Sequence, residues 1–178
     1  MSELQNFRLM GRYNQWMNDT LTEAALSLPE SALMQDQGAF FGSIMGTLNH
    51  LLVGDIIWLK RFSTHPTGFH SLHPLESIQK PVALNTRLYD DLETFSVERQ
   101  GLDIIISEWC DEMSEADLDH NLSYSNMAGV QSCKRFGFLV QHLFNHQTHH
   151  RGQLTTLLSQ QDVDVGITDL LTLIPDAH

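Results

Sequence analysis

Apolar residues recur along this chain mostly at intervals of three and four, the spacing that collects side chains on one face of a helix. Leu4, Phe7, Met10, Tyr13 with Asn14, Met17 and Leu21 form the first such series. Ser2 stands where its hydroxyl can accept from a free amide of the first turn, and Pro29 marks the exit. A second helix is predicted from about Gly38 to Phe62, with Phe41, Ile44, Leu48, Leu51, Trp58 and Phe62 along one side. Met45, Leu52, Ile56 and Leu59 widen its apolar arc, which suits a central helix in a bundle. A third runs from Asn85 or Thr86 to Met113, with Leu88, Leu92, Phe95, Leu102, Ile105, Ile106 and Trp109 facing the core. A fourth runs from Arg135 to Gln161, and a short last helix spans Thr168 to Leu173, capped by Thr168 and stopped by Pro175.

Two stretches break the pattern. From Ser63 to Leu84, with Pro66, Gly68, Pro74 and Pro81, the chain reads as a long ordered loop or a lid. Between Ser114 and Lys134, the runs 122–125 and 130–133 flank Ala128-Gly129 and predict a small hairpin. Four long helices with irregular connections give an all-α four-helix bundle, and no interior linker divides residues 1–178 into more than a single domain.

Charge narrows the function. Ten Lys and Arg stand against 22 Asp and Glu, a formal net charge of -12 with no basic run. That balance opposes binding to nucleic acid, which needs cations to displace counterions from phosphate, and opposes docking on an anionic membrane. No segment has the length of apolar sequence that a membrane span needs, and the first residues do not resemble a signal peptide. Cys110 and Cys133 lie far apart, outside any paired spacing, so a cytoplasmic protein with reduced thiols is expected.

The fourth helix carries the candidate chemistry. At about 100° per residue, Phe136, Leu139, Leu143, Leu154 and Leu157 fall on one stripe; His150 lies near its centre and His146 about 50° away. Two imidazoles four residues apart thus point where leucine belongs, and a shared divalent metal is a reason for them to do so. His50, the sole histidine of the second helix, is placed among Leu48, Leu51, Leu52 and Val53 and can supply a third ligand, leaving an open position for water or substrate. Taken alone, each of these histidines also fits the ordinary role of a hydrogen-bonded core residue. His142 and His149 fall at the edge of the stripe, as rim residues or as hydrogen-bond partners of the ligands. His65, His70 and His73 read as loop residues, and His120 and His178 carry no signal. No Glu is followed three residues later by His, as a carboxylate-bridged di-iron bundle requires, and phosphate-binding and dinucleotide motifs are absent.

These residues resemble the DinB/YfiT-like family of metalloenzymes. The resemblance rests on residues 13–18, on 46–55 through Trp58, on the run from His142 to Gln153, and on 166–170, so it spans nearly the whole chain. It implies a four-helix bundle with a three-histidine site at His50, His146 and His150, and a homodimer. It further implies thiol-dependent transferases or isomerases, whose characterised relatives use bacillithiol or mycothiol. The family's DNA-damage label concerns expression. One divalent ion, zinc or nickel, is the expected cofactor, with a small thiol and an electrophile as partners. A non-catalytic metal-binding or stress-response bundle and a metal-dependent hydrolase use the same parts. Asn49 and Asn145 are expected to bond across helices. Asp55 is expected to pair structurally with Arg151 or a first-helix polar group. Gly152 would permit close helix approach, Gln153 would orient a water on the ion, and Arg151 would recognise an acidic ligand if turned toward the pocket.

Overall fold

The computed structural model describes residues 2–176, so His178 lies outside it. Four long helices form the body: α1 (Glu3–Leu26), α3 (Ile44–Phe62), α4 (Leu92–Glu112) and α6 (Phe136–Ser159). Short helices α2 (Glu30–Met34) and α5 (Glu115–Leu118) lie between them. The single hairpin among the described residues pairs β1 (Asn121–Ser125) with β2 (Gln131–Arg135) in antiparallel register, Leu122 opposite Lys134. None of the described helices is long and apolar enough to cross a membrane. The all-α bundle and the small hairpin are thus as the pattern predicts.

The boundaries show where local chemistry overrides periodicity. Ser2 does cap α1, in a reciprocal box with Gln5. Pro29 ends that excursion but also opens α2, which the pattern does not show. The second long helix begins at Ile44 instead of Gly38, because Gly38 and Gly42 sit at φ 69° and 77°, a left-handed backbone that no helix continues through. Ser43 caps it through the Gly46 amide. The third long helix begins at Leu92 instead of residue 85 or 86. Asn49, on α3, takes the amides of Leu88 and Tyr89 on its Oδ1 (2.8 and 3.0 Å) and donates Nδ2 to the Tyr89 carbonyl. That amide side chain acts as a substitute strand partner and holds residues 84–89 as a strap across α3. Asn49 therefore bonds to a loop and not across helices, while Asn145 is exposed. The last helix is a 3-10 turn, Leu170–Leu173, entered from Asp169, and the Thr168 carbonyl accepts from the Tyr13 hydroxyl at 2.6 Å.

Helix α1 packs on α4 and α6, and α3 packs on α6. The seam between α3 and α4 is filled by a 3-10 segment, His70–Ser77, whose Leu72 and Leu75 are buried with Phe69. The loop after α3 is thus mostly a wall of the core. At that end Phe62 stacks on Trp109 and meets Phe136 edge-on, both at 5.2 Å between ring centroids, and the buried His65 lies against Phe69 and Phe136.

Midway along the bundle, polar side chains from all four long helices meet in the dry interior. Arg99 of α4 binds Asp103 in a two-point fork (Nε to Oδ2 2.9 Å, Nη2 to Oδ1 2.8 Å) and reaches Asp55 of α3 at 2.7 Å. Asn14 and Asn18 of α1 donate to Asp103, and Asn14 accepts from Arg151 of α6. Gln147 of α6 donates to Asp55 and to the Leu51 carbonyl. Asp55 thus pairs with Arg99 and Gln147 and not with Arg151, whose partners are the first-helix asparagines. Two buried cations balance two buried carboxylates, so removing one strands the others without water. Arg99→Met is expected to lower unfolding free energy by about 3–5 kcal/mol in denaturant titration; a loss below about 1 kcal/mol would show that the cluster behaves as surface pairs do.

Candidate metal centre

Gln147 and Arg151, fully buried, point from α6 into this polar cluster. Each directly follows a histidine, so the rotation of α6 that buries Gln147 and Arg151 brings His146 and His150 out on the neighbouring face, toward α3. The two histidines are half-buried at the edge of the core, and His150 is not at its centre. The discrepancy has a simple cause: a stripe drawn through leucines ignores the polar residues that the cluster pulls inward.

On α3, His50 meets them. Its Nε2 stands 3.2 Å from His146 Nε2 and 3.1 Å from His150 Nε2, and one nitrogen from each ring lies within 4.8 Å of the others. Each ring is held by a different device. The His50 ring stacks on Phe41, 3.7 Å between centroids and 16° from parallel, and its Nδ1 faces the Leu84 carbonyl at 2.9 Å. That carbonyl arrives on the strap that Asn49 secures. His150 Nδ1 faces Gln153 Oε1 at 2.8 Å. His146 fits because residue 54, one turn beyond His50, is glycine: a Cβ there would lie 2.8 Å from His146 Cε1.

These contacts indicate the tautomers of His50 and His150. A carbonyl oxygen can only accept, so His50 carries its proton on Nδ1 and presents a bare Nε2. His150, facing the amide oxygen of Gln153, does the same. Two lone pairs then oppose each other at 3.1 Å, and a single proton on His146 Nε2 can serve at most one of them. The Nδ1 of His146 is buried without a partner. A cation at the focus resolves this arrangement. Three nitrogens held about 2.0–2.1 Å from one ion lie about 2.9–3.4 Å apart for octahedral to tetrahedral angles, which brackets the His50 spacings. The donor set therefore fits a divalent metal.

Burial keeps the donors neutral. It lowers the proton affinity of His50, against the pull of the Leu84 carbonyl, and of His150, against Gln153. For His146, burial followed by the neighbouring His150 and His50 brings the pKa down to about 3.

Beside the triad lies an open pocket of about 430 Å³, with His50, Gly54 and His146 at one end, Trp58 and Arg61 farther along α3, and His142 of α6 facing them. The hairpin tip closes it with Asn126, Met127 and Ala128, placed by Asn126 Oδ1 accepting from the Ala128 and Val130 amides. A slightly larger cavity, about 500 Å³, sits away from the histidines between α3 and α4 and contains no comparable donor set. Nothing in the local sequence connects the hairpin, Gly54, Phe41 or Arg61 with the site. Several supports differ from those the sequence pattern suggests. Gly152 has open space around it, so the close approach belongs to Gly54. Gln153 orients an imidazole and touches His149 at 3.3 Å. Arg151 is buried in the polar cluster and does not line the pocket. His142 stands edge-on to Trp58 at 5.0 Å, and neither it nor His149 joins the triad.

Two outcomes follow from this geometry. Gly54→Ala should displace the His146 ring and weaken zinc affinity by about 10–100-fold, the usual effect of disturbing a ligand's support. Alanine favours the helix over glycine, so circular dichroism should stay unchanged, and wild-type zinc affinity would refute the close approach. The depressed His146 pKa also has a stability consequence. The unfolded chain takes up this proton near pH 6.5, whereas the folded chain resists to about 3. Stability from His146 is therefore complete above about pH 6.5 and declines as pH falls toward about 3. The unfolding midpoint of metal-free protein should drop more steeply with acid in wild type than in His146→Leu; equal slopes contradict the burial argument.

Comparison with known proteins agrees with this architecture. Residues 1–176 match the DinB family model. The chain is 25% identical over 160 residues to the protein DinB of Bacillus subtilis (strain 168), covering 88% of this chain and 87% of that protein. No solved structure matches. With the family match extending over nearly all its length and a triad of histidines drawn together in a helical bundle, the chain belongs to the DinB family.

Proposed function

We propose that this protein holds one divalent ion, zinc or nickel, through the Nε2 atoms of His50, His146 and His150, and uses it to transfer a low-molecular-weight thiol to an electrophile. The observation that carries the proposal is the convergence of three imidazoles kept neutral by burial, two of them bare at Nε2, at the end of an open pocket. No acidic or cysteine side chain joins the group among the described residues, so a bound ion keeps its full charge. Such an ion supplies the Lewis acidity that makes a small thiol nucleophilic at neutral pH. The chain's own part is to hold the histidines in the donor tautomer, through Leu84 and Gln153, and to keep them unprotonated by burial. The apolar length of α3 beyond Gly54, with Trp58 and Met127, offers a surface on which a hydrophobic electrophile can lie. The incoming sulfur would displace a leaving group, or add across an activated double bond.

The test has two stages. His50→Ala, His146→Ala and His150→Ala should each lose the full equivalent of metal found by elemental analysis, while His142→Ala and His149→Ala keep it. Metal-loaded wild type and His150→Ala are then screened with bacillithiol, mycothiol and glutathione, each against haloaromatic and unsaturated diacid electrophiles. Conjugation by wild type alone is expected. A full equivalent of ion without turnover for any pair would leave a non-catalytic metal-binding bundle, and ester or amide cleavage without thiol would leave a hydrolase.

A further inference from the structure

Among the described residues, Arg61 has no hydrogen-bond or ion-pair partner for its guanidinium. It lies on α3, eleven residues beyond His50 and on the face that Gly54 and Trp58 share, where it lines the pocket that opens from the triad. It forms no ion pair among the described residues. Its Nε is shielded from solvent and makes no hydrogen bond. Its two Nη groups are not shielded in this way and bond to none of the described residues, so the outer edge of the guanidinium is open to a ligand. Glu76, which lines a second depression together with Arg61, is not paired with it either. The guanidinium is meanwhile well fixed: it lies over the Trp58 ring at 4.5 Å and the Tyr124 ring at 5.1 Å. Stacking holds the plane of the group and leaves its edge of N–H donors available.

We infer that Arg61 is the anion-recognition residue of the pocket, and that the pocket takes an elongated small molecule bearing a carboxylate at the end remote from the histidines. The pocket walls contain no Asp or Glu and no other Lys or Arg, so in a chain of net charge -12 this is a local reversal of sign. A carboxylate matches the end-on fork of the two Nη groups, which are not shielded as Nε is and bond to none of the described residues. Eleven residues of helix separate the two Cα atoms by about 16 Å, and the side chain leans back one turn over Trp58, shortening the gap the ligand must bridge. The flat apolar surface between the two ends favours an aromatic or unsaturated body. This inference rests on the pocket being the substrate site of the proposed enzyme, but its test involves neither thiol nor turnover.

Zinc-loaded wild type, Arg61→Met and Arg61→Lys are titrated by calorimetry with 3-phenylpropionate and with its neutral amide. Wild type should prefer the carboxylate by about tenfold or more, the strength of a charge-assisted hydrogen-bonded pair. Arg61→Met should bind the amide as wild type does and lose the preference, and Arg61→Lys should retain part of it. A preference preserved in Arg61→Met means that the ion reads the carboxylate, and overturns the inference. Equal affinity of wild type for the two probes, or no binding of either, overturns it as well. Thermal melting of the variants separates loss of the pair from loss of the fold. An Arg61-dependent preference in a protein that never conjugates thiols would sink the proposed reaction and leave this inference standing.

Discussion

The buried polar cluster of Asp55, Arg99, Asp103, Asn14, Asn18, Gln147 and Arg151 is the constraint on which the rest of the bundle depends. Hydrophobic contacts are nondirectional and tolerate small rotations of one helix on another. Two carboxylates and two guanidinium groups without water do not, because each lost partner leaves an unsolvated charge. The cluster draws on all four long helices and therefore fixes the rotation of each about its own axis. For α6 that rotation has a chemical result, since Gln147 and Arg151 directly follow His146 and His150. Burying one pair turns the other toward α3.

The same division of labour recurs on α3. Asn49, Gly54 and Asp55 each serve a different neighbour: the strap at residues 84–89, the His146 ring and the cluster. His50 lies among them and inherits its geometry from all three. Its proton is placed by a backbone carbonyl that comes from the loop, and its ring is braced by Phe41, which precedes the helix. Nothing in this arrangement depends on carboxylate neighbours that would share the charge of a bound cation. Neutral donors with no carboxylate among them would leave a cation held there its full charge toward whatever enters from the pocket.

The pocket extends that logic along the helix. Positions 50, 54, 58 and 61 follow one face of α3, so one element carries an imidazole, a gap, an aromatic shelf and a guanidinium in succession. The hairpin, too small to contribute much to the core, earns its place as the cover of this face, with the turn at Asn126 setting Met127 and Ala128 over it.

The sequence by itself determined the four long helices, the hairpin and the histidines that stand out from the apolar pattern. Long apolar periodicity is a local signal, and His50, His146 and His150 stood out because imidazoles are unexpected at positions near leucines. Capping was equally readable at Ser2, where both partners lie within three residues. What the sequence did not disclose depends on residues distant along the chain. The start of α4 was displaced by Asn49, some forty positions earlier, and no local pattern signals such a bond. The α6 stripe was misjudged because a rule built on leucines does not count glutamine and arginine as interior, and only their partners on α1 and α3 make them so. Gly54 and Arg61 look unremarkable in sequence. One matters for the space it leaves to a ring on another helix, and the other for a guanidinium that stacks on two rings and pairs with none of the described carboxylates. Periodicity is written within one turn of helix, whereas clearance, pairing and the absence of pairing exist only between elements, so tertiary structure alone decided them.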